Sequence, residues 1–242
     1  IILMNNTKNI KIILGISYLL ILSIFLWFFF QNFSIQDFSN YEIIKKNKDN
    51  LLELRDLNLF ISSILFLLGA IIWTLLLGFG TPVFLIGGFI FGKWLGTLLI
   101  VFGLTIGATL LYLFAGYFFK DFIDLRFSKK FSYFKNKFKK NEFIFFIIYR
   151  NIPGVPFFIS NILPTIFDVK IKNYFFGTLI GLTPNLFIGA SLGSGIEKII
   201  EKNEKIPSFL EVILSPEIYI PLLLFILLFI AGILIKKKIN VN

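Results

Sequence analysis

The stretch that decides the fold is YRNIPGVPFFISNILP, residues 149–164, which directly follows the apolar run FIFFII at 143–148. It places one arginine, two asparagines and three prolines inside sequence that is otherwise apolar. Each proline removes a backbone donor and frees a carbonyl one turn earlier. Such groups are tolerated at membrane depth only against protein or a wet cavity. The stretch therefore predicts a re-entrant segment over 143–164, which dips into the membrane and returns.

The composition of the whole chain is typical of a polytopic membrane protein. Of its 242 residues, 57% are hydrophobic and 16% are charged, whereas soluble domains carry about 45–50% apolar and about 25% charged residues. The chain has no cysteine and no histidine, which excludes disulfides within it, Cys/His zinc sites and mechanisms that use either residue. Its net charge of +10 comes from basic residues beside apolar spans. There it indicates membrane topology and anionic lipid head groups rather than nucleic acid.

Apolar segments of about 20 residues are predicted to span the bilayer. They are 12–30, 59–79, 94–119, 174–194 and 216–235. Between the second and third lies GTPVFLIGGFIFG, residues 80–92, which as a helix reaches only about 20 Å against about 30 Å of hydrocarbon. We interpret it as another re-entrant segment; the alternative is a short loop followed by a kinked ordinary span.

The polar segments predict how the chain is oriented. Segment 31–58 is predicted as an interfacial helix from the capping-box spacing of Ser39 and Glu42, with a plain connecting loop as the alternative. The loop 120–142 carries eight basic residues, so it is predicted to be cytoplasmic. The C-terminus follows three lysines and is predicted on the same side, with the charge-balanced link 197–215 outside.

This orientation places the N-terminus outside, against the mild preference of Lys8 and Lys11 for the cytoplasm. The alternative is that residues 59–119 cross the membrane three times. Three parts follow from the pattern of spans. They are an anchor and amphipathic segment (1–58), a membrane domain (59–200), and a charged link with the last helix and basic tail (201–242).

Two parts of the membrane domain resemble each other. Residues 96–110 read GTLLIVFGLTIGATL and residues 177–192 read GTLIGLTPNLFIGASL. Each follows a broken apolar segment, and in the predicted topology the two run in opposite directions. Inverted repeats with interrupted helices are how many transporters build a site near the midplane. The predicted fold is an all-α polytopic membrane protein, an inverted repeat of re-entrant hairpin plus transmembrane helix with flanking transmembrane helices.

Arg150 is the residue that most needs a physical explanation, because a central arginine costs at least about 2.5–3.5 kcal/mol on insertion scales. Three readings are open. Its planar fork suits a phosphate, it can tie down the hairpin by bonding carbonyls near the proline breaks, or it can snorkel to the cytoplasmic surface. Asn151 and Asn161 would add neutral hydrogen bonds to a bound head group.

The predicted substrate-binding residues share a position in or beside the broken segments. They are Pro82, Gly87, Gly88, Arg150, Asn151, Pro153, Pro156, Asn161, Pro164, Pro184 and Asn185. Thr178 and Thr183 are expected to bond their own helix, and Gly177 and Gly181 to be packing glycines. The sequence has no paired carboxylates in apolar sequence and no zinc, Walker, GxSxG or Rossmann motif. It therefore predicts no enzyme and no cofactor.

These residues, in their order, resemble a known family. The second half carries the run Arg150-Asn-Ile-Pro-Gly-Val-Pro156, then Asn161, Pro164, Gly177-Thr178, Gly181 and Pro184. The first half carries Gly80-Thr81-Pro82, Gly87-Gly88, Phe91-Gly92 and Trp94-Leu95-Gly96-Thr97. Over about residues 75–200 the chain resembles the VTT domain of the DedA superfamily, also called SNARE-associated Golgi proteins.

The resemblance implies two re-entrant hairpins that face each other across the membrane, with Arg150 as the family arginine of the second hairpin and Pro153, Pro156 and Pro164 shaping it. It also implies lipid chemistry. Eukaryotic relatives scramble phospholipids, and bacterial relatives are linked to undecaprenyl phosphate recycling and membrane-potential homeostasis. This chain departs from proton-coupled members because 80–92 contains no acid, which favours the scramblase-like group.

The function predicted from the sequence is translocation of phospholipid or polyprenyl-phosphate head groups through a polar groove formed by the two hairpins. The alternatives are a small-solute or ion transporter that uses the same site, and a non-transporting membrane scaffold. The predicted partners are membrane lipids and not nucleic acid, with a homo-oligomer left open. The predicted location is the bacterial plasma membrane, with the C-terminus in the cytoplasm.

Overall fold

The computed structural model describes residues 2–32, 47–56, 58–152 and 155–202, with single positions between Leu214 and Ile230. Every element over these residues is a helix. They are α1 (Ile2–Asn32), α2 (Lys48–Asp56), α3 (Leu59–Leu75), α4 (Gly80–Lys140), α5 (Glu142–Tyr149), α6 (Phe157–Ile162), a 3₁₀ helix (Leu163–Phe167) and α7 (Ile171–Lys202). Three stretches are long and apolar enough to cross a membrane: Ile13–Asn32, Gly80–Phe118 and Ile171–Gly195. The described part of the chain is all-helical and contains helices of membrane-spanning length, as the composition predicted.

Helix α4 consists of two arms that meet at Gly92. This residue has φ 73° and ψ 179°, a backbone conformation that glycine adopts without steric cost. A Cβ on Gly96 would lie 2.6 Å from the carbonyl oxygen of Gly87, although nine residues of straight helix would separate the two by roughly 13 Å. The chain therefore folds back at Gly92, and we call the arms α4a (80–91) and α4b (93–140).

Helix α3 is the other arm of the hairpin that contains α4a. A Cβ on Gly103 would lie 2.8 Å from the Cβ of Ala70, and one on Gly107 would lie 2.7 Å from the Cβ of Thr74. Small residues let helices approach this closely, and the matching order means that α3 runs parallel to α4b. The first hairpin is therefore α3, a turn at 76–79, and α4a.

This arrangement differs from the prediction that 80–92 dips in and turns back alone, while the prediction that 59–79 spans the membrane is not tested. The helix α3 has only 17 residues, and α4a is a single helical arm without a reversal inside it. Hydropathy reports the length of an apolar segment but not its direction. The sequence therefore did not reveal that these two segments are the arms of one hairpin.

The second hairpin is built in the same way against α7. A Cβ on Gly177 would lie 2.7 Å from the Phe146 ring, and one on Gly181 would lie 2.9 Å from the Cβ of Arg150. Helix α5 therefore runs parallel to α7, while α6 and the 3₁₀ helix form the return arm. That arm ends at Asp168, whose φ of 48° parallels the left-handed turn at the end of α4a.

The two units correspond through these glycine pairs, which lie 74 residues apart in the sequence. The similarity between the stretches 96–110 and 177–192 aligned Gly96 with Gly177, which lie 81 residues apart. This alignment is shifted by seven residues, about two helical turns, from the one in the structure. A shift of seven residues turns a helix by only about 20°. Small residues stay on almost the same helix face after that shift, which explains why the sequence alignment of the two stretches has the wrong register. Gly177 and Gly181 are packing glycines, as predicted.

The two units are inverted relative to each other. The ring of Trp94 packs on Phe187 with centroids 5.0 Å apart, and Tyr112 stacks on Tyr174 at 4.3 Å. Because an early residue of α4b meets a late residue of α7 and the reverse holds further along, the two long helices are antiparallel. Phe158 follows the tip of the second hairpin and lines the same cavity as the tip of the first.

Two predicted polar segments are described in part. Within 31–58, α2 packs Leu51 on the first hairpin beside Leu85 and Phe89, so this part is a helix; Ser39 and Glu42 lie outside the described residues. The predicted loop 120–142 is wrong as a loop, because α4 continues to Lys140. Basic charge indicates a side of the membrane and not a conformation, and the cytoplasmic location stays a prediction. No glycine or proline between 117 and 152 interrupts the helix. The link from 203 to 213 and most of the last span lie outside the described residues.

Candidate functional site

The guanidinium of Arg150 is the buried polar centre of the second hairpin, with the residue only 6% exposed. Nε and Nη2 donate to Oγ1 of Thr178 at 3.1 and 2.8 Å. Nη1 donates to Oδ1 of Asn161 at 2.7 Å, and to the carbonyl and hydroxyl oxygens of Ser160 at 3.3 and 3.2 Å. Among the described residues, no carboxylate forms an ion pair with this guanidinium. Neutral oxygens therefore compensate its charge.

Aromatic rings complete the surroundings of Arg150. The carbon at the centre of its guanidinium lies 5.0 Å from the ring centroids of both Phe146 and Tyr174. Such cation–π contacts are worth about 2 kcal/mol or more where the groups are desolvated. The rings and the hydrogen bonds together explain how an arginine is accommodated inside the helical bundle.

The carbonyl of Ser160 is available because of Pro164. A proline at this position has no N–H to donate to the carbonyl one turn earlier, which belongs to Ser160. Arg150 and the hydroxyl of Tyr149, which donates at 3.1 Å, take over this acceptor. Pro164 therefore creates the backbone site that the arginine fills.

These contacts decide between two of the three readings of Arg150. The reading in which Arg150 ties down the hairpin through carbonyls freed by proline is confirmed, with Pro164 as the proline concerned. Snorkelling is wrong, since the side chain is buried against Thr178, roughly 10 Å along α7 from its start at about 1.5 Å per residue. A direct contact with phosphate stays a prediction.

Two exposed carboxamides lie beside this buried centre. Nδ2 of Asn185 donates to Oδ1 of Asn151 at 3.2 Å, and Nδ2 of Asn151 donates to the carbonyl of Ile147 at 2.8 Å. Both asparagines are exposed. Asn185 lies near the middle of Ile171–Gly195, a stretch long and apolar enough to cross a membrane, so the pair adds polar surface to an otherwise apolar span.

Buried hydrogen bonds hold the two sides of the site together. The hydroxyl of Tyr174 lies 3.1 Å from the carbonyl oxygens of both Ala108 and Asn161, and its one proton can be donated to either of them. At the other end of α5, Oε1 of the buried Glu142 accepts from the backbone N–H of Lys170 at 2.6 Å and from Nδ2 of Asn173 at 2.9 Å. The start of α5 is thereby fixed to the start of α7, which sets the height of Arg150 along α7.

The structure brings together only part of the predicted site. Arg150, Asn151, Asn161, Pro164 and Asn185 gather at the second hairpin and α7. The remaining predicted residues lie elsewhere or are not described. Pro82 lines a cavity beside α1, Gly87 and Gly88 pack against other helices, Pro184 lines a pocket between α4 and α7, Pro156 is the N-cap of α6, and Pro153 lies outside the described residues.

Sequence reasoning missed three residues that shape the site: Ser160, Tyr174 and Thr178. Ser160 had a readable signal, since it lies four residues before Pro164. Thr178 was expected to bond its own helix and instead accepts from Arg150; Thr183 does bond its own helix, at the carbonyl of Leu179. The parts of the chain with described side chains contain no group of three or more His, Cys, Asp or Glu residues that could hold a metal ion.

Comparison with known proteins matches this architecture to a family. The family model for the VTT domain matches residues 78–195, from the tip of the first hairpin through the apolar part of α7. Over residues 78–195 this chain is similar to the VTT domain family. The resemblance predicted from the motifs, to the DedA and SNARE-associated Golgi family, is thereby confirmed. Both halves of the polar site, the second hairpin and α7, lie within this VTT domain.

A curated relative extends the similarity beyond the VTT domain. A transmembrane protein 41 homolog of Dictyostelium discoideum is 29% identical over 210 residues, covering 84% of this chain. The chain spans 60% of the length of that relative. No solved structure matches the chain.

Proposed function

We propose that this protein moves lipid head groups across the bilayer along a polar groove between the second hairpin and α7. The observation that carries the proposal is the exposed pair of Asn151 and Asn185 near the middle of an apolar stretch of membrane-spanning length. Transfer of an amide group from water into hydrocarbon without a hydrogen-bond partner costs about 4–8 kcal/mol. A groove that admits water and head groups removes this cost, because it supplies hydrogen-bond partners.

The buried charge of Arg150 gives this groove its preference for a substrate. Within the described residues its hydrogen-bond partners are neutral, so a positive electrostatic potential remains beside the two amides. Low-dielectric surroundings screen this potential less than water would. A phosphate would be attracted to this region, while the amides offer hydrogen bonds. The proposed substrates are therefore lipids with a phosphate head group, either phospholipids or polyprenyl phosphates.

The two hairpins are proposed to be re-entrant, one from each side of the membrane. Helix α3 is about 26 Å long at about 1.5 Å per residue, short of the roughly 30 Å of hydrocarbon. Its return arm leads back to the same side, where α4b begins. Because α4b ends in the basic segment 120–140, which favours the cytoplasm, the first hairpin enters from outside and the second from the cytoplasm.

Family resemblance supports transport over a scaffold role, since the eukaryotic relatives of VTT proteins scramble phospholipids. Both arms of the first hairpin, 59–75 and 80–91, lack acidic residues, so the proposed transport is not driven by protons through this hairpin. An energy-independent scramblase needs only a polar path for head groups while the tails stay in lipid. The proposed location is the plasma membrane.

The test is lipid scrambling by the full-length protein in liposomes. Fluorescent phospholipids in the inner leaflet would be bleached by a membrane-impermeant reductant only after they cross. We expect Asn151→Leu/Asn185→Leu to slow crossing at least about tenfold, which corresponds to a barrier raised by about 1.4 kcal/mol. The matched control is Asn32→Leu, which removes an exposed amide with the same bond to the carbonyl four residues earlier, but at the end of α1.

A wild-type protein that behaves like empty vesicles with phospholipid and polyprenyl-phosphate probes would overturn lipid translocation and favour a scaffold. If the wild-type protein and the double variant scramble lipids equally fast, the groove at Asn151 and Asn185 is not the path of the head groups. Slow crossing by the double variant, with Asn32→Leu at the wild-type rate, is the result that supports the proposal.

A further inference from the structure

Helix α1 leans on the membrane domain at a small number of anchors and leaves a cleft beside them. The hydroxyl of Tyr18 donates to the carbonyl of Leu75 at 2.7 Å, one of the carbonyls that the end of α3 leaves without a helical partner. The rings of Phe25 and Phe29 pack on Trp73 with centroids 5.9 and 5.4 Å away. Most of the apolar part of α1 otherwise faces outward, with only 6% of it buried.

Two cavities, of about 330 and 240 Å³, lie between α1 and the hairpins. Phe25, Phe29 and Trp73 line both of them, so the two cavities adjoin at these side chains, and we call them together the cleft. The first cavity extends along α3 past Gly69. The second extends to the tips of both hairpins, where Phe158 lies two residues before the Ser160 carbonyl that Arg150 binds.

The chemistry of the walls decides what fills this cleft. A buried water needs two to four polar partners, and the polar side-chain atom of the shared wall, Nε1 of Trp73, already donates to the carbonyl of Phe79 at 2.7 Å. The other lining side chains are apolar. An empty cleft of this size would forfeit dispersion contacts along its whole lining. The occupant is therefore apolar, and within a bilayer the apolar material at hand is lipid hydrocarbon.

We propose that the cleft between α1 and the two hairpins is a binding site for an acyl chain of a membrane lipid. In this arrangement the chain runs along α3 and ends at the hairpin tips, near the polar centre of the VTT domain. The site rests on the proposed function for its role, as the place that holds a tail while its head group passes. Occupancy by an acyl chain is a separate property and can be measured by itself.

Gly69 offers a direct way to fill the cleft. It lines the larger cavity, and a Cβ built on it would meet no atom within 4 Å, so Gly69→Leu places a side chain into open space. Gly116 is a matched control, because it is also helical and its Cβ would likewise meet nothing within 4 Å, but it lies outside both cavities. Both changes replace a helical glycine by the same helix-favouring residue.

The experiment uses the full-length protein in phosphatidylcholine liposomes that contain a phosphatidylcholine with a photoactivatable diazirine in its acyl chain. After illumination, mass spectrometry locates the labelled residues. We expect labelling at Phe25, Phe29 and Trp73 in the wild type and in Gly116→Leu. In Gly69→Leu we expect about tenfold less, because displacing about two methylene groups weakens apolar binding by about that factor.

Labelling that avoids the cleft in the wild type, or that is equal in Gly69→Leu and Gly116→Leu, overturns the site. Labelling that Gly69→Leu selectively removes supports it, whether or not the protein scrambles lipids in the same liposomes. If the label is present but wild-type scrambling is absent, the proposed function fails while the acyl-chain site stands. If scrambling is present but the cleft stays unlabelled, the site fails while the proposed function stands.

Discussion

Arg150 shows how a charge is accommodated at membrane depth when the described surroundings offer no acid to pair with it. Its fork is shared among a threonine hydroxyl, an asparagine amide and the carbonyl that Pro164 leaves free. The shape of the arginine side chain, and not only its charge, suits this position. Its three nitrogens reach acceptors on two different helices, whereas a lysine has only one side-chain nitrogen.

The first prediction concerns Thr178, which accepts two of these bonds. Thr178→Val is nearly isosteric but leaves Nε and Nη2 of Arg150 without this acceptor, so we expect the free energy of unfolding to fall by about 1–3 kcal/mol. Thr183→Val is the matched control, because its hydroxyl bonds only its own helix, and we expect a change within about 0.5 kcal/mol. Thermal unfolding in detergent compares the two. Equal effects would contradict the role assigned to Thr178.

At the scale of elements, both hairpins use one device, in which a pair of glycines on a long helix seats the first arm of a hairpin. The sequence contained both pairs, yet small residues recur often enough in this chain to align in a second register. The partner of each pair was not readable, because a GxxxG pattern reports that something packs closely and not which helix does. Three-dimensional packing alone selected Ala70 and Thr74 for one pair and Phe146 and Arg150 for the other.

A second prediction tests the contact of the first hairpin with α7. A Cβ at Gly88 would run into the backbone of Ala190, and backbone cannot move aside as a flexible side chain can. We expect Gly88→Ala to lower the free energy of unfolding by about 1–3 kcal/mol through overpacking. Gly116→Ala, in open space, should instead raise it by about 0.5–1 kcal/mol. Unfolding curves of the two variants in one detergent decide; a stable Gly88→Ala protein would contradict this contact.

For the whole molecule, the antiparallel pair of α4b and α7 makes the two units inverted. The sequence predicted the inversion from basic loops and broken segments, but it counted 59–79 as a full span. That count forced the N-terminus outside, against Lys8 and Lys11. If α3 is a re-entrant arm parallel to α4b, we expect α1 to cross once from the cytoplasm, which removes the conflict between the number of spans and the charge of Lys8 and Lys11.

A third prediction follows for the orientation of the chain. Asp56 and Lys93 are expected to lie on the outer side, and Lys139 and Lys170 on the cytoplasmic side. Because the protein has no cysteine, the variants Asp56→Cys, Lys93→Cys, Lys139→Cys and Lys170→Cys each carry one thiol. In intact cells, an impermeant thiol reagent should label the first two and spare the others. Labelling of Lys93→Cys without Asp56→Cys would contradict the hairpin, since its two ends would then lie on opposite sides.

How far the sequence predicts the site depends on the kind of residue. Arg150, Asn151, Asn161 and Asn185 were readable because polar groups in apolar sequence need a reason to be there. Thr178 was not selected, since hydroxyl groups commonly bond their own helix, and only the fold places it within reach of a guanidinium. Ser160 was missed although its position four residues before Pro164 marks its carbonyl as free. Pro82, Gly87 and Gly88 were assigned to the same groove because such residues interrupt helices. The structure places Gly87 and Gly88 at helix contacts of the first hairpin and Pro82 at a cavity beside α1.

The central claim is that a polar, water-accessible groove passes Asn185 at the depth of the bilayer core. The most direct test is the reactivity of Asn185→Cys in liposomes with a water-soluble maleimide, compared with Leu65→Cys. Leu65 is expected at a similar depth, since α3 is parallel to α4b and α4b is antiparallel to α7; it is also exposed, at 52%, but it lines neither the pocket between α4 and α7 nor the cavities beside α1. We expect Asn185→Cys to react readily and Leu65→Cys to stay unlabelled, because the thiolate that attacks the maleimide forms in water and not in hydrocarbon. If both stay unlabelled, or both react equally, there is no separate wet groove at Asn185 and the proposed path for head groups is contradicted.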